Sequence, residues 1–350
     1  MKTLALAASV LSIAMALPPQ GPASRTGEWT ARLSDNWTRN NERWVSFQLE
    51  RDDQRRWGIS IKRSELPGLP ETGDDWTGDA RFALKRDAGT IDFEGRFRDG
   101  RGSGTYRFTA NPDYIAGMRK LGYERIDDDD LFRLTAHDVS RTFVTSLQKV
   151  GYRDASLEDL VRMRIHGATP EYVAEMRDAG ISNLSIEELI RTRIHGATPR
   201  FIQDVKKAGY DRLSVDDLVR MRIHGVTPEF IREMRDLGYK DQSIEQLIRL
   251  RIHGVTPAFM KEIRGLGYTD LTLDDFVKMR IHGVTPQFIK ELKDLGYGGI
   301  KASRLVQFRI HGVNAEFIRE ARDAGFKDLD EEDLVDLSIH GRRWLKKRRG

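Results

Sequence analysis

Residues Thr227–Val255 read TPEFIREMRDLGYKDQSIEQLIRLRIHGV, and Thr256-Pro257 begin the same pattern again. Thr227 is suited to cap a helix, and Pro228 fits the first helical position, where a missing N–H costs nothing. Phe230, Ile231, Met234 and Leu237 follow at i, i+1, i+4 and i+7, an apolar helical stripe. Gly238 is placed to end that helix with positive φ, and Tyr239 is expected to pack back on the stripe. Ser243 begins a second helix, with Gln246 as its capping-box partner. Ile244, Leu247, Ile248 and Ile252 form its expected apolar face, and His253-Gly254 end it. Helices of about ten residues are marginal alone. Stacked neighbours must supply the missing burial, which is the logic of an α-solenoid.

The pattern recurs along most of the chain. All eight histidines share one spacing of 29 residues: His137, His166, His195, His224, His253, His282, His311 and His340. Glycines at 122, 151, 180, 209, 238, 267, 296 and 325 share it, as do prolines at 112, 170, 199, 228, 257 and 286. Eight tandem units therefore run over 111–342. The first has Asp138 where later units have glycine, and the second has Arg141 at the proline position. The seventh has Lys301 at the Ser cap, after Gly298-Gly299, and predicts a local irregularity; the eighth starts with Asn314-Ala315.

One histidine per unit does not make a metal site. Stacked units place successive rings about 10 Å apart, whereas Zn–N bonds are about 2.0–2.1 Å. The histidines are expected to serve helix C-termini, and no metal or cofactor is expected. The arginines two residues before them, Arg164, Arg193, Arg222, Arg251, Arg280 and Arg309, fall on the apolar side of their helices. A part-buried guanidinium needs a partner. Eleven residues later stand Glu175, Asp204, Glu233, Glu262, Glu291 and Glu320. The unit with Thr135 in place of the arginine has Ser146 in place of the acid, so a bridge across each turn is expected. A second basic row, Arg133, Arg162, Arg191, Arg220, Arg249 and Lys278, has an acid four residues earlier in each unit, a favourable helical pairing.

The remaining segments differ in character. Met1-Lys2, an apolar stretch to Met15 and Ala14-Met15-Ala16 read as a signal peptide over 1–16. Export to the periplasm or beyond suits a chain without cysteine. Residues 25–110 hold five of the six tryptophans and read as an antiparallel β domain of five or six short strands. Ile91, Phe93 and Phe97 alternate with Asp92, Glu94 and Arg96, Asp87-Ala88-Gly89 and Asp99-Gly100 mark turns, and 45–50 and 57–62 are earlier strands. Trp29, Trp37, Trp44, Trp57 and Trp76 either fill its core or present a carbohydrate-binding face. The fold class is thus α+β, a β domain before a solenoid. The tail over 343–350 is basic. Arg342, Arg343, Lys346, Lys347, Arg348 and Arg349 surround Trp344, suiting either an anionic membrane or glycan surface or a solvated end. Those six cations exceed the formal net charge of +4.

The turn Ile223-His224-Gly225-Val226-Thr227-Pro228 resembles a helix-hairpin-helix hairpin, a DNA-phosphate-binding element, with Thr227 at the second glycine position. The HGVTPEF-type units after a Trp-containing β domain resemble envelope regions of bacterial proteins related to β-lactam-sensor-type membrane metallopeptidases. That resemblance spans about residues 25–342. The chain lacks the family's H-E-x-x-H zinc motif and membrane spans, so peptidase activity does not carry over. Together these readings predict an exported, non-enzymatic repeat scaffold that binds a protein partner in the cell envelope, and no nucleic acid. The alternative is a glycan or anionic-envelope binder using the tryptophans and the tail. The partner's identity and the oligomeric state are open at this level.

Overall fold

The computed structural model describes residues 24–39, 42–51, 56–70 and 75–341. The signal-peptide and tail segments lie outside them. The chain divides into two compact units, Met1–Ala174 and Glu175–Gly350.

The first unit opens with a six-stranded antiparallel sheet: β1 (Ser24–Arg39), β2 (Glu42–Arg51), β3 (Arg56–Lys62), β4 (Gly78–Arg86), β5 (Gly89–Arg98) and β6 (Arg101–Ala110). The spatial order is β3-β2-β1-β6-β5-β4. The first strand is far longer than expected, at 16 residues. Period-two alternation puts Trp29, Val45, Phe47, Ile61, Phe82, Leu84, Phe93, Phe97 and Phe108 inside. The Trp29 ring meets Phe82 on β4 at 5.5 Å and Phe47 on β2 at 6.0 Å, so the sheet curls around its aromatic core. The loop after β3 docks on the free edge of β4, where Ala83 donates to Pro67 O. Asp99 (φ 50°) and Gly100 (φ 73°) make the tight β5–β6 turn that the sequence signals.

Sixteen helices follow among the described residues, two per repeat. The first helices are α1 (Pro112–Lys120), α3 (Arg141–Lys149), α5 (Pro170–Asp178), α7 (Pro199–Lys207), α9 (Pro228–Asp236), α11 (Pro257–Gly265), α13 (Pro286–Asp294) and α15 (Ala315–Asp323). The second helices are α2 (Asp128–Ala136), α4 (Leu157–His166), α6 (Ile186–His195), α8 (Val215–His224), α10 (Ile244–Ile252), α12 (Leu273–Ile281), α14 (Ala302–His311) and α16 (Glu331–His340). Like stacks on like. In the first unit α1 meets α3 and α2 meets α4. In the second, α7, α9, α11, α13 and α15 form one layer and α6, α8, α10, α12, α14 and α16 the other.

The expected caps are present. Thr227 accepts from Phe230 N with Pro228 at the first position, and Ser243 and Gln246 close a capping box. Both helix ends form Schellman-type turns: Tyr239 N donates to Met234 O and Val255 N to Leu250 O. The seventh repeat departs less than expected. Lys301 makes no side-chain cap, yet its extended backbone (φ −60°, ψ 142°) starts α14 in phase. Ile300 is buried beside it and holds the register.

The sheet takes the place of a preceding repeat. Phe132 of α2 packs on Trp57, Tyr106 and Phe108. Arg25 pairs with Asp129, and Arg86 donates to Thr135 O and Ala136 O at the end of α2. Arg141, where later units carry proline, forks onto Asp87 in the β4–β5 turn, with Nη2–Oδ1 at 2.6 Å. That contact holds the Asp87 carboxyl below its ordinary range.

Candidate interaction surface on the repeats

Polar contacts between neighbouring repeats recur at fixed offsets, and they account for most functional-looking residues. Tyrosines after the first helix reach forward: Tyr210 to Gln242 O, Tyr239 to Leu271 O, Tyr268 to Ile300 O and Tyr297 to Leu329 O, at 2.6–2.8 Å. Burial raises the hydroxyl pKa of Tyr210 and Tyr268, which keeps both as donors. The Tyr239 hydroxyl thus serves the following repeat. Basic residues in the last turn of the first helix reach backward. Lys206 caps Ala179 O, Arg235 caps Ala208 O, Arg264 caps Leu237 O and Arg322 caps Leu295 O, at 2.7–2.8 Å. These donors satisfy carbonyls that a helix end leaves open.

The Arg-x-His arginines also turn backward, and for Arg222, Arg251 and Arg280 this corrects the expected bridges. Arg222 and Arg309 donate Nε to His195 O and His282 O of the preceding repeat. Arg222, Arg251, Arg280 and Arg309 lie 5.0–5.2 Å from the ring centres of Phe201, Phe230, Phe259 and Phe288. Among the described residues, Arg222, Arg251 and Arg280 form no ion pair with Glu233, Glu262 or Glu291. The physical reason is that an aromatic face stabilises each of these cations, and Arg222 adds the open His195 carbonyl. Asp204 pairs instead with Arg200 and Lys207. In the first unit Arg164 binds His137 O and Asp138 and lies over Phe143. Asp138 holds φ 55° where glycine usually stands, and places its carboxylate on that arginine.

The second basic row pairs mainly between repeats. Arg133 meets Glu158, Arg191 meets Asp216, Arg220 meets Glu245 and Arg249 meets Asp274, all 25 residues ahead. Lys278 keeps the expected four-residue pair, with Asp274 at 2.7 Å.

One repeated position has no such covering. Ile165, Ile194, Ile223, Ile252, Ile281, Ile310 and Ile339 are 48–56% exposed, and they are all of the exposed large hydrophobic residues among those described. The sequence reading put Ile252 on the buried face; its place there belongs to Leu250, 1% exposed. A within-chain signal was available. The buried position two residues earlier varies through Met163, Thr192, Met221, Leu250, Met279 and Phe308, whereas the isoleucine is repeated seven times. In the first repeat the equivalent residue is Ala136, which is buried.

Other expected sites fare differently. Trp29 is core; Trp57 and Trp76 are half-buried against Phe132 and Phe97, and Lys62 lies over Trp44. Arg342, Arg343, Trp344, Lys346, Lys347, Arg348 and Arg349 lie outside the described residues, as does the side chain of Trp37. An open concavity of about 860 Å³ on the sheet is lined by Glu28, Arg81, Lys85, Asp92, Glu94 and Arg107, with no tryptophan among its lining residues. No cluster of three or more His, Asp or Glu suited to a metal occurs among the described residues. No described helix is long and apolar enough to cross a membrane. The chain matches no family model and no curated protein.

Proposed function

We propose that the protein is an exported, non-enzymatic scaffold of the bacterial cell envelope whose repeats bind a protein partner through the isoleucine row. The single observation that supports this is the alignment of every large exposed hydrophobic, among the described residues, on one repeated position. Exposed apolar side chains are ordinary when scattered, whereas a contiguous set marks an interaction surface. The second basic row is mainly engaged in ion pairs between repeats and the Arg-x-His row lies over phenylalanine rings, which leaves the isoleucines for recognition. The test is cross-linked capture from an envelope fraction, wild type beside a triple variant, Ile223→Asp, Ile252→Asp and Ile281→Asp. Capture lost with an unchanged circular dichroism spectrum is the expected result. Capture unaffected by the triple change removes the reading.

A further inference from the structure

Six of the isoleucines belong to the second unit, on α6, α8, α10, α12, α14 and α16, whose consecutive members are in contact. They therefore form an unbroken row with one isoleucine per helix. We propose that this row is the docking surface for a second copy of this chain. The proposal rests on the reading of the repeats as a protein-binding scaffold, and it names the partner.

Three features lead there. The first is pitch. Packed helices stand about 8–10 Å apart, so a partner that follows the row must present apolar groups at that interval across six repeats. A second copy does so by identity, and isologous pairing places the same patch on both sides. The second is charge. The basic row one turn before the isoleucines is joined to acids of the neighbouring repeat in Arg191–Asp216, Arg220–Glu245 and Arg249–Asp274. Charges of that row, closed within one chain, repel a like copy little. The third is extent. Each of the six helices carries its exposed isoleucine, a half-buried or exposed histidine after it and two polar or charged positions within two turns before it. That is about 24 residues, inside the roughly 20–30 per side of a standard interface burying about 800 Å² per partner.

The test is sedimentation velocity of the full chain across a concentration series. It is run on the wild type, on the Ile223→Asp/Ile252→Asp/Ile281→Asp variant and on a milder triple Ile→Thr variant at the same positions. A concentration-dependent dimer is expected for the wild type. Its dissociation constant should rise more than about 100-fold in the Asp variant, the scale of losing a hot-spot cluster, and less in the Thr variant, with helical circular dichroism retained. A wild type that stays monomeric, or a dimer that both variants retain, overturns the proposal. Row-dependent cross-linking of a monomer to a different protein overturns the dimer but leaves the scaffold reading standing. A monomer with no row-dependent capture removes both. Row-dependent binding of the monomer to anionic vesicles also overturns the dimer.

Discussion

A β-carbon at Gly225 would stand 3.0 Å from Arg251 Nη2, on a backbone with φ +70°. Left-handed backbone costs an ordinary L-residue about 1–2 kcal/mol. Gly225→Val is therefore expected to lower stability by at least that amount in urea unfolding. Gly225→Asp should cost less, because Asp138 already holds that conformation with its carboxylate on Arg164. The arginine itself supplies a second residue-scale prediction. Arg251 lies 5.2 Å from the Phe230 ring centre, so Arg251→Ala and Phe230→Leu should couple by about 0.5–2 kcal/mol in a double-mutant cycle. Arg251→Ala and Glu262→Ala should add. Coupling of the second pair and additivity of the first would restore the turn bridge.

Elements were legible where their signals are local. The capping boxes, the Thr-Pro starts, the glycine ends and the alternation along β5 are fixed by residues a few positions apart, and they stand where the sequence puts them. Contacts at 25, 27 and 32 residues were not legible, because each has two possible directions and only packing decides between them. Arg222 could have turned forward to Glu233, but the preceding helix end offers a carbonyl and its own repeat offers a ring. Ile252 misled for a related reason. It continues the stripe by spacing, yet at the last turn of α10 that direction points past the layer to solvent. Tyr239→Phe, which deletes the hydroxyl on Leu271 O, should cost about 0.5–1.5 kcal/mol. Phe326 occupies the equivalent place in the eighth repeat. At α14, where Lys301 provides no cap, Lys301→Ser should stabilise by about 0.5–1 kcal/mol in thermal unfolding.

At the scale of the whole molecule, two groups of the first unit, His137 and Asp87, make stability depend on pH. Burial, then the nearby Arg86 and Arg133, push His137 down to about 4 from 6.5. Between those values the unfolded chain binds a proton that the folded one refuses, so stability falls as pH drops from about 6.5 to about 4 and levels off below. Asp87 acts lower. Its folded pKa is depressed by Arg141, so its contribution is complete above the ordinary carboxylate value and is lost as pH falls through the folded one. His137→Leu should flatten the first window, removing at most about 3 kcal/mol of pH dependence. Asp87→Asn should flatten the second, below about pH 4, both read by denaturant titration at a series of pH values.

The fixed offsets also make length a matter of counting. Excising residues 227–255 would bring Arg264 to Ala208 O and the Tyr210 hydroxyl to Leu271 O, the same kinds of partner each meets now. Removing one residue more or fewer would leave every contact that spans the cut facing the wrong atom. Such a chain can grow or shrink by duplication and loss, but only in whole teeth, like a rack cut to fit a pinion.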